Sequence, residues 1–338
     1  MAPLLKATAL SVLLAFAEAR RPHRTRISPS PSSTSAAPPA ASTGSGASCD
    51  CWTATSSSSA VFQNRSFFDF RDIANPYVPA NITDKSSDAD SGVTNSYFSS
   101  SDWTDTWSIQ SWGNSGGDSA YYKQNSQNNV YISPNDGSSG STGSSYLTLR
   151  TTRNSAYQSI AEIDSVATNY NYLTMRMLAR TTGSAGACTA LFTYDGNTDP
   201  VQEADIEILT REPTDTINYT NQPGGTDGAT VDATLPGGAE WSDWLVLRYD
   251  WTPGSSEWYV NGELAATIDI QTPTAGLSVI LNAWGDGGSW TGVMPVGGQA
   301  LLDVQWLDIA YNTTDDKNVH TCSSTCSIDS LAGSAPPS

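Results

Sequence analysis

Residues 201–210 read VQEADIEILT and set Glu203, Asp205 and Glu207 at every second position, with Ala204, Ile206 and Ile208 alternating between and after them. Residues two apart do not share a helix face, but on a strand they do. A strand here projects three carboxyls to one side and three apolar side chains to the other. One account is a solvent-facing strand, acids out and aliphatics in. That account crowds like charges on one face, which destabilises a sheet, and the nearest base along the chain is Arg211. The other account is chemical. Four strand steps of ~3.3 Å separate the Cα atoms of Glu203 and Glu207 by about 13 Å. If each side chain reaches roughly 4 Å toward the other, the carboxyls approach to about 5–6 Å. At that separation one carboxyl can attack an anomeric carbon while the other protonates the leaving oxygen. Asp205 lies between them on a shorter stem and can hydrogen-bond one glutamate. Three carboxyls so close cannot all ionise at their usual pKa. One keeps its proton near neutrality, as a general acid requires. Spacing alone does not say which glutamate attacks.

The rest of the inventory narrows the chemistry. The two histidines are His23, in a basic segment, and His320, beside the terminal cysteines. The body between them has none, which excludes a Ser-His-Asp triad, a Cys-His dyad and a histidine zinc site. TNQPGGTDGAT lacks the lysine and helix of a phosphate-binding loop. Five of the 16 Lys and Arg lie in the first 26 residues and one of the 34 acids precedes residue 49, so the remainder carries 33 acids against 11 bases. Such a surface disfavours nucleic acid and anionic membranes as partners and suits a neutral substrate. The 11 Trp and 14 Tyr against 7 Phe supply flat rings with a polar edge, which suit both sugar stacking and a β core.

The elements that position the acids read as strands. Short β-rich runs broken by Gly, Asn, Asp, Ser or Pro recur from SFFDF at 66–70 to LLDVQWLDIAY at 301–311, and no helical stripe of useful length appears. This pattern predicts one all-β sandwich or barrel. Asn261-Gly262 marks a two-residue hairpin turn. In TMRMLAR, Met175, Met177 and Ala179 alternate with Arg176, Leu178 and Arg180, as on a half-buried strand.

The start, MAPLLKATALSVLLAFAEA, has a lysine, a short apolar run and small residues, and predicts a signal peptide over 1–19. The apolar run is too short to span a membrane. Residues 20–48 are basic and then rich in Ser, Thr, Pro and Ala, a composition that predicts a disordered linker. A folded domain is expected over 49–326, with a flexible tail over 327–338. Four cysteines allow three pairings. A Cys49–Cys51 ring would be strained, so two cross-links are expected, each joining Cys49 or Cys51 to Cys322 or Cys326. Cys188, in the apolar run ACTALFTY, reads as a buried small hydrophobe. Sequons at Asn64, Asn81, Asn218 and Asn312 fit a secreted glycoprotein.

The acidic triplet resembles the E-x-D-x-E signature of glycoside hydrolase family 16, carried on a central strand of a concanavalin A-like jelly-roll β-sandwich. Further blocks in the same order resemble the family: YNYLTMRMLARTTGSAGACTALFTY before the signature, then WLVLRYDWTPGSSEWYVNGEL, LSVILNAWGDGG and LLDVQWLDIAY after it. The resemblance covers roughly residues 60–312. It implies Glu203 as nucleophile, Asp205 as helper and Glu207 as acid/base. The single residue between Asp205 and Glu207 is the unbulged form shared by lichenase-like, xyloglucan-active and wall-transglycosylase members. Substrate contacts are implied at Asn282 and Trp284, with a core position as the alternative for Trp284, and at Tyr219 and Asn221. Trp107, in DWTDTWSIQSWG, is a candidate stacking wall or a core residue. Asp303 matches a position where some members bind structural calcium, a solvated carboxylate being the alternative. No cofactor is required. The implied activity is retaining, internal hydrolysis of β-1,3- or mixed β-1,3/1,4-glucan by a secreted monomer, extracellular or in the cell wall. The alternatives are a β-glucan transglycosylase and a non-catalytic lectin, which has no use for paired acids.

Overall fold

A computed structural model describes residues 49–55, 60–115, 119–315 and 321–330. The expected signal peptide and linker lie outside the described residues, as do His23, His320 and the tail from 331 onward.

The chain forms the all-β jelly-roll sandwich that the strand pattern and the resemblance imply. One layer runs, in order of neighbours, Trp107–Ile109, Tyr157–Ser165, Ser278–Trp284, Cys188–Asp195, Gln202–Leu209, Thr216–Gln222 and Thr230–Thr234, every pair antiparallel. In the other layer Asn64–Asp69 and Ser145–Arg153 both flank Gln299–Thr313, which is followed by Tyr170–Gly183, Leu245–Thr252, Ser255–Val260 and Glu263–Ile268. Tyr157–Ser165 also pairs with Ser145–Arg153, so the layers are continuous at one side. The hairpin expected at Asn261-Gly262 joins the last two strands, with both residues at positive φ, as its turn chemistry requires.

The core lies between the layers. Ala204, Ile206 and Ile208 enter it from the acid strand and share one apolar cluster with Met175, Met177, Leu247, Tyr249 and Trp258 of the opposing layer. Each fully buried side chain the size of Ile206 or Met175 contributes about 1.5–3 kcal/mol relative to exposure. That burial fixes the register of Gln202–Leu209, because a one-residue slip would drive its carboxyls into the core. The acids are held on the outer face by their apolar neighbours.

Arg176 and Arg180 do point away from the core, as their alternation suggests, but they are not solvated. Arg176 donates to Asp308 Oδ2 at 2.7 Å, and Arg180 donates to Asp303 Oδ2 at 3.0 Å. Arg248 pairs with Asp250 on the same face. The cover over Arg176 and Arg248 comes from the two ends of the domain. Cys51–Thr53 pairs with Val61–Phe62 and, in parallel, with Thr325–Ser327. Disulfides join Cys49 to Cys326 and Cys51 to Cys322 across separations of 277 and 271 residues. Closing a loop this long removes about 5.6 kcal/mol of unfolded-chain entropy in the simplest treatment; the second bridge then closes only a short loop and adds less. The packed chain continues past the boundary expected at Cys326. Ile328 is buried against Phe62, Ala54 and Ala310. Asp329 reaches both Arg176 and Arg248 at 3.3 Å.

Candidate active site

Directly paired residues of a sheet share a face, so register defines the surface around the acids. On one side Tyr194 is opposite Glu203, Phe192 opposite Asp205 and Ala190 opposite Glu207. On the other, Gln222, Thr220 and Asn218 are opposite the same three. Beyond Ala190 and Cys188 come Asn282 and Trp284, and beyond Asn282 comes Glu162. Glu203, Asp205 and Glu207 thus stand on the outer face of the first layer, Asp205 and Glu207 buried and Glu203 partly so. The flat rings of Phe192 and Tyr194 are half-buried beside them, edge to face at 6.4 Å. The loop after Ser278–Trp284 returns over Glu207 and brings Trp290 to it.

All three acids are held above their ordinary carboxylate range. Burial raises Glu203, with the charge of Glu207 adding to it, while a hydrogen bond with Asp205 pulls it down. Burial also raises Asp205, followed by the charges of Glu203 and Glu207, and the bond to Glu203 raises it further. A bond that lowers Glu203 and raises Asp205 is one in which Asp205 keeps the proton and donates it. Glu203 is the accepting partner in that bond, and Gln222 Nε2 donates to Asp205 Oδ2 at 3.4 Å. Glu207 is pushed up to about 7 by burial, and hydrogen bonds from Cys188 and Trp290 hold it from rising further. Glu203 is pushed up to about 8, so this pair of glutamates titrates around neutrality, and nucleophilic attack with general-acid assistance uses the form in which Glu203 is ionised and Glu207 protonated.

Several expected site residues stand elsewhere. Tyr219 and Asn221 lie opposite Ile206 and Ala204, so they face the core. Tyr219 stacks on Trp258 at 5.3 Å between ring centroids. The Asn221 amide donates to the carbonyls of Ile268 and Ile270. Trp107 is also a core residue, packed edge-on against Phe68 at 5.4 Å, because its partner Ser165 lies on the core-facing register of its strand. Asn282 and Trp284 do lie on the acid face. Asn282 Nδ2 donates to Glu162 Oε2 at 3.4 Å. Trp284 is closed over by a small apolar cluster with Ile160, Cys188, Ala190 and Leu209, so its ring is walled in behind Glu207 and presents no open stacking face.

Asp303 does not suit calcium. One of its oxygens accepts from Arg180 and the other from Thr148 at 2.7 Å, so a guanidinium already supplies the cation. Among the described residues no group of three or more histidine, cysteine or carboxylate side chains is arranged to hold a metal ion. Of the sequons, Asn218 is buried and its amide donates to Glu212 Oε2 at 2.9 Å, which leaves it closed to a glycan. Asn64, Asn81 and Asn312 are partly exposed.

The sequence reading passed over Phe192, Tyr194, Glu162 and Trp290. Phe192 and Tyr194 were legible from alternation in CTALFTYD, which puts them opposite the acids. Glu162 lies in QSIAEIDS, an alternating run not singled out as a strand. Trp290 sits in a glycine-rich loop with no periodicity to place it. Cys188 is reduced and buried as expected, but its thiol also donates to Glu207 Oε1 at 3.3 Å.

The family model for glycosyl hydrolases family 16 matches residues 117–294. A β-glucanase of Bacillus subtilis (strain 168) is 32% identical over 136 residues, covering 38% of this chain and 55% of that protein. A β-glucanase of Bacillus amyloliquefaciens is 30% identical over 136 residues, covering 38% of this chain and 56% of its own. The chain thus spans about half the length of these curated relatives. The solved structure of Bacillus licheniformis β-glucanase superposes with a TM-score of 0.47 at 25% identity, over 62% of this chain and 93% of that one.

Proposed function

Because this chain belongs to family 16 of the glycosyl hydrolases, we propose that it cleaves a β-glucan internally with retention of configuration, on β-1,3- or mixed β-1,3/1,4-linkages. The observation that carries the reading is the acid strand itself: three carboxyls on one face, Glu203 hydrogen-bonded to Asp205, and all three held above the ordinary carboxylate range. In the first step the Glu203 carboxylate attacks the anomeric carbon while Glu207 gives its proton to the departing glycosidic oxygen. In the second, Glu207 takes a proton from water, which attacks the same carbon and releases Glu203. Asp205 holds Glu203 through its hydrogen bond and offsets its charge. The faces of Phe192 and Tyr194 suit stacking on a pyranose. Protein groups supply the nucleophile, the acid and the base, so the reaction needs no cofactor. Two disulfides suit an oxidising compartment and support secretion.

The test is incubation of the chain with a panel of glucans and measurement of product lengths over time. Laminarin or mixed-linkage glucan should fall to short oligosaccharides, with cleavage inside the chain from the earliest times. Products longer than the substrate would instead favour a transglycosylase. Binding with no cleavage of any β-glucan would favour a lectin.

A further inference from the structure

Two hydrogen bonds end on the same oxygen of Glu207. The Trp290 indole donates to Oε1 at 3.1 Å and the Cys188 thiol donates to Oε1 at 3.3 Å. Among the described residues no hydrogen bond reaches Oε2. The thiol's direction is itself fixed. Cys188 is fully buried and hydrogen-bonded to Trp284, its cross-strand neighbour. An indole can only donate, so Trp284 takes the sulfur lone pair and leaves the S–H for Glu207. Trp290 packs against the same small cluster, with Ile160 and Leu209. A protonated carboxyl carries hydrogen on one oxygen and accepts on the other. An oxygen facing two donors cannot aim a hydrogen of its own at them, which leaves Oε2 for the proton.

Resting on the acid/base role proposed for Glu207, we propose that Trp290 and Cys188 are positioning residues that lock its carboxyl so that Oε2 alone delivers and recovers the catalytic proton. In the first step the proton leaves Oε2 for the glycosidic oxygen as the bond from that oxygen to the anomeric carbon breaks and the bond to Glu203 forms. The negative charge left on Glu207 falls partly on Oε1, where both donors strengthen as it develops. In the second step water's proton returns to Oε2. The lock thus favours the ionised form and keeps the acid from becoming too weak.

Other charged groups stand on the elements around Glu207. Glu203 and Asp205 share its strand. Glu212 comes from beside Asn218 and raises Glu207. Glu162 stands beyond Asn282. Lys123 lies over the Trp284 ring, 5.3 Å from its centroid, and Arg211 packs beside Gly292 in the Trp290 loop. None of these is altered by removing one donor to Oε1, so a shift on doing so reports the lock.

The measurement is a carbon-13 NMR titration of glutamate carboxyls in the full chain, with Glu207 identified by its loss in Glu207→Gln, run beside glucan cleavage as a function of pH. Trp290→Phe keeps the ring and removes the N–H, and should raise the Glu207 midpoint by about one pH unit. Cys188→Ala should raise it by less, and Cys188→Ser, which restores a donor, should bring it back. The alkaline limb of kcat/KM should move up with the midpoint, while kcat on glucan falls about tenfold as the proton loses its direction. A Glu207 midpoint unmoved in both Trp290→Phe and Cys188→Ala, in a chain that cleaves glucan, overturns the lock and leaves the catalytic reading standing. No glucan cleavage by the unaltered chain overturns the catalytic reading, and the delivery role with it, whatever the titration shows.

Discussion

Glu203→Gln is expected to lower turnover of β-glucan by about four orders of magnitude or more while the domain stays folded. Glutamine keeps the size of the side chain and its place opposite Tyr194 and Gln222, but it cannot form the bond to the anomeric carbon. No neighbour substitutes for it. Asp205 has a shorter stem and holds its proton against Glu203, and Glu207 is committed to Trp290 and Cys188. Stability should move the other way. Burial and the Glu207 charge hold Glu203 above its ordinary range. A carboxyl raised in the folded state contributes stability only while protonated, and loses it as pH climbs from its unfolded value of about 4.3 through its folded one. Replacing it with a neutral amide removes that cost, so Tm at neutral pH should hold or rise by a few degrees. Glucan affinity should be largely kept. Turnover assays, calorimetry and glucan binding on one preparation check all three. A variant that unfolds, or one that keeps a tenth of the activity, would count against Glu203 as nucleophile.

Glu207→Gln should cost about 10²- to 10⁴-fold on glucan, the usual range for a positioned general acid. The loss should depend on the leaving group. A sugar hydroxyl is a poor leaving group and needs the proton; an aryl glycoside with an acidic phenol does not. The first step on the activated substrate should therefore stay within about tenfold of the unaltered chain. The second step still lacks its base, so a burst of phenol followed by slow turnover is expected. Equal losses on both substrates, with no burst, would remove Glu207 from the acid role.

The acid strand was legible because strand alternation has a period of two and the core enforces it. With Ala204, Ile206 and Ile208 fixed inward, the three carboxyls had one place to go. Tyr219 and Asn221 were misplaced by setting the position implied by the family resemblance above that same alternation. In TINYTNQ, Ile217 shares their face, and an apolar residue at that phase marks the core side; Asn218, Thr220 and Gln222 line the acid face instead. Trp107 and Trp284 show the limit of composition, since a tryptophan suits a core and a sugar platform equally until its neighbours are known. The paired arginines were legible as outward-facing but not as buried. Arg176 is covered by Ile328 and Asp329, about 150 residues along the chain, and Arg180 by Asp136, Ser138 and Trp244; no local pattern announces contacts of that range. The donors to Glu207 are similar. Cys188 was read as an apolar filler, and Trp290 reaches the acid from a loop whose path only the folded chain defines.

The central claim is that Glu203 and Glu207 act as a nucleophile and acid pair, too close together for water to stand between carboxylate and sugar. Attack by Glu203 and then by water on the opposite face are two inversions, and two inversions retain the β configuration. Proton NMR of a β-glucan digest within the first minutes, before mutarotation, reads the anomer directly. Reducing ends that appear first as the β-anomer, and relax to the equilibrium mixture later, are the result this account predicts. Reducing ends that appear first as the α-anomer would mean a single displacement by water between carboxyls some ~6.5–9.5 Å apart, and would contradict it.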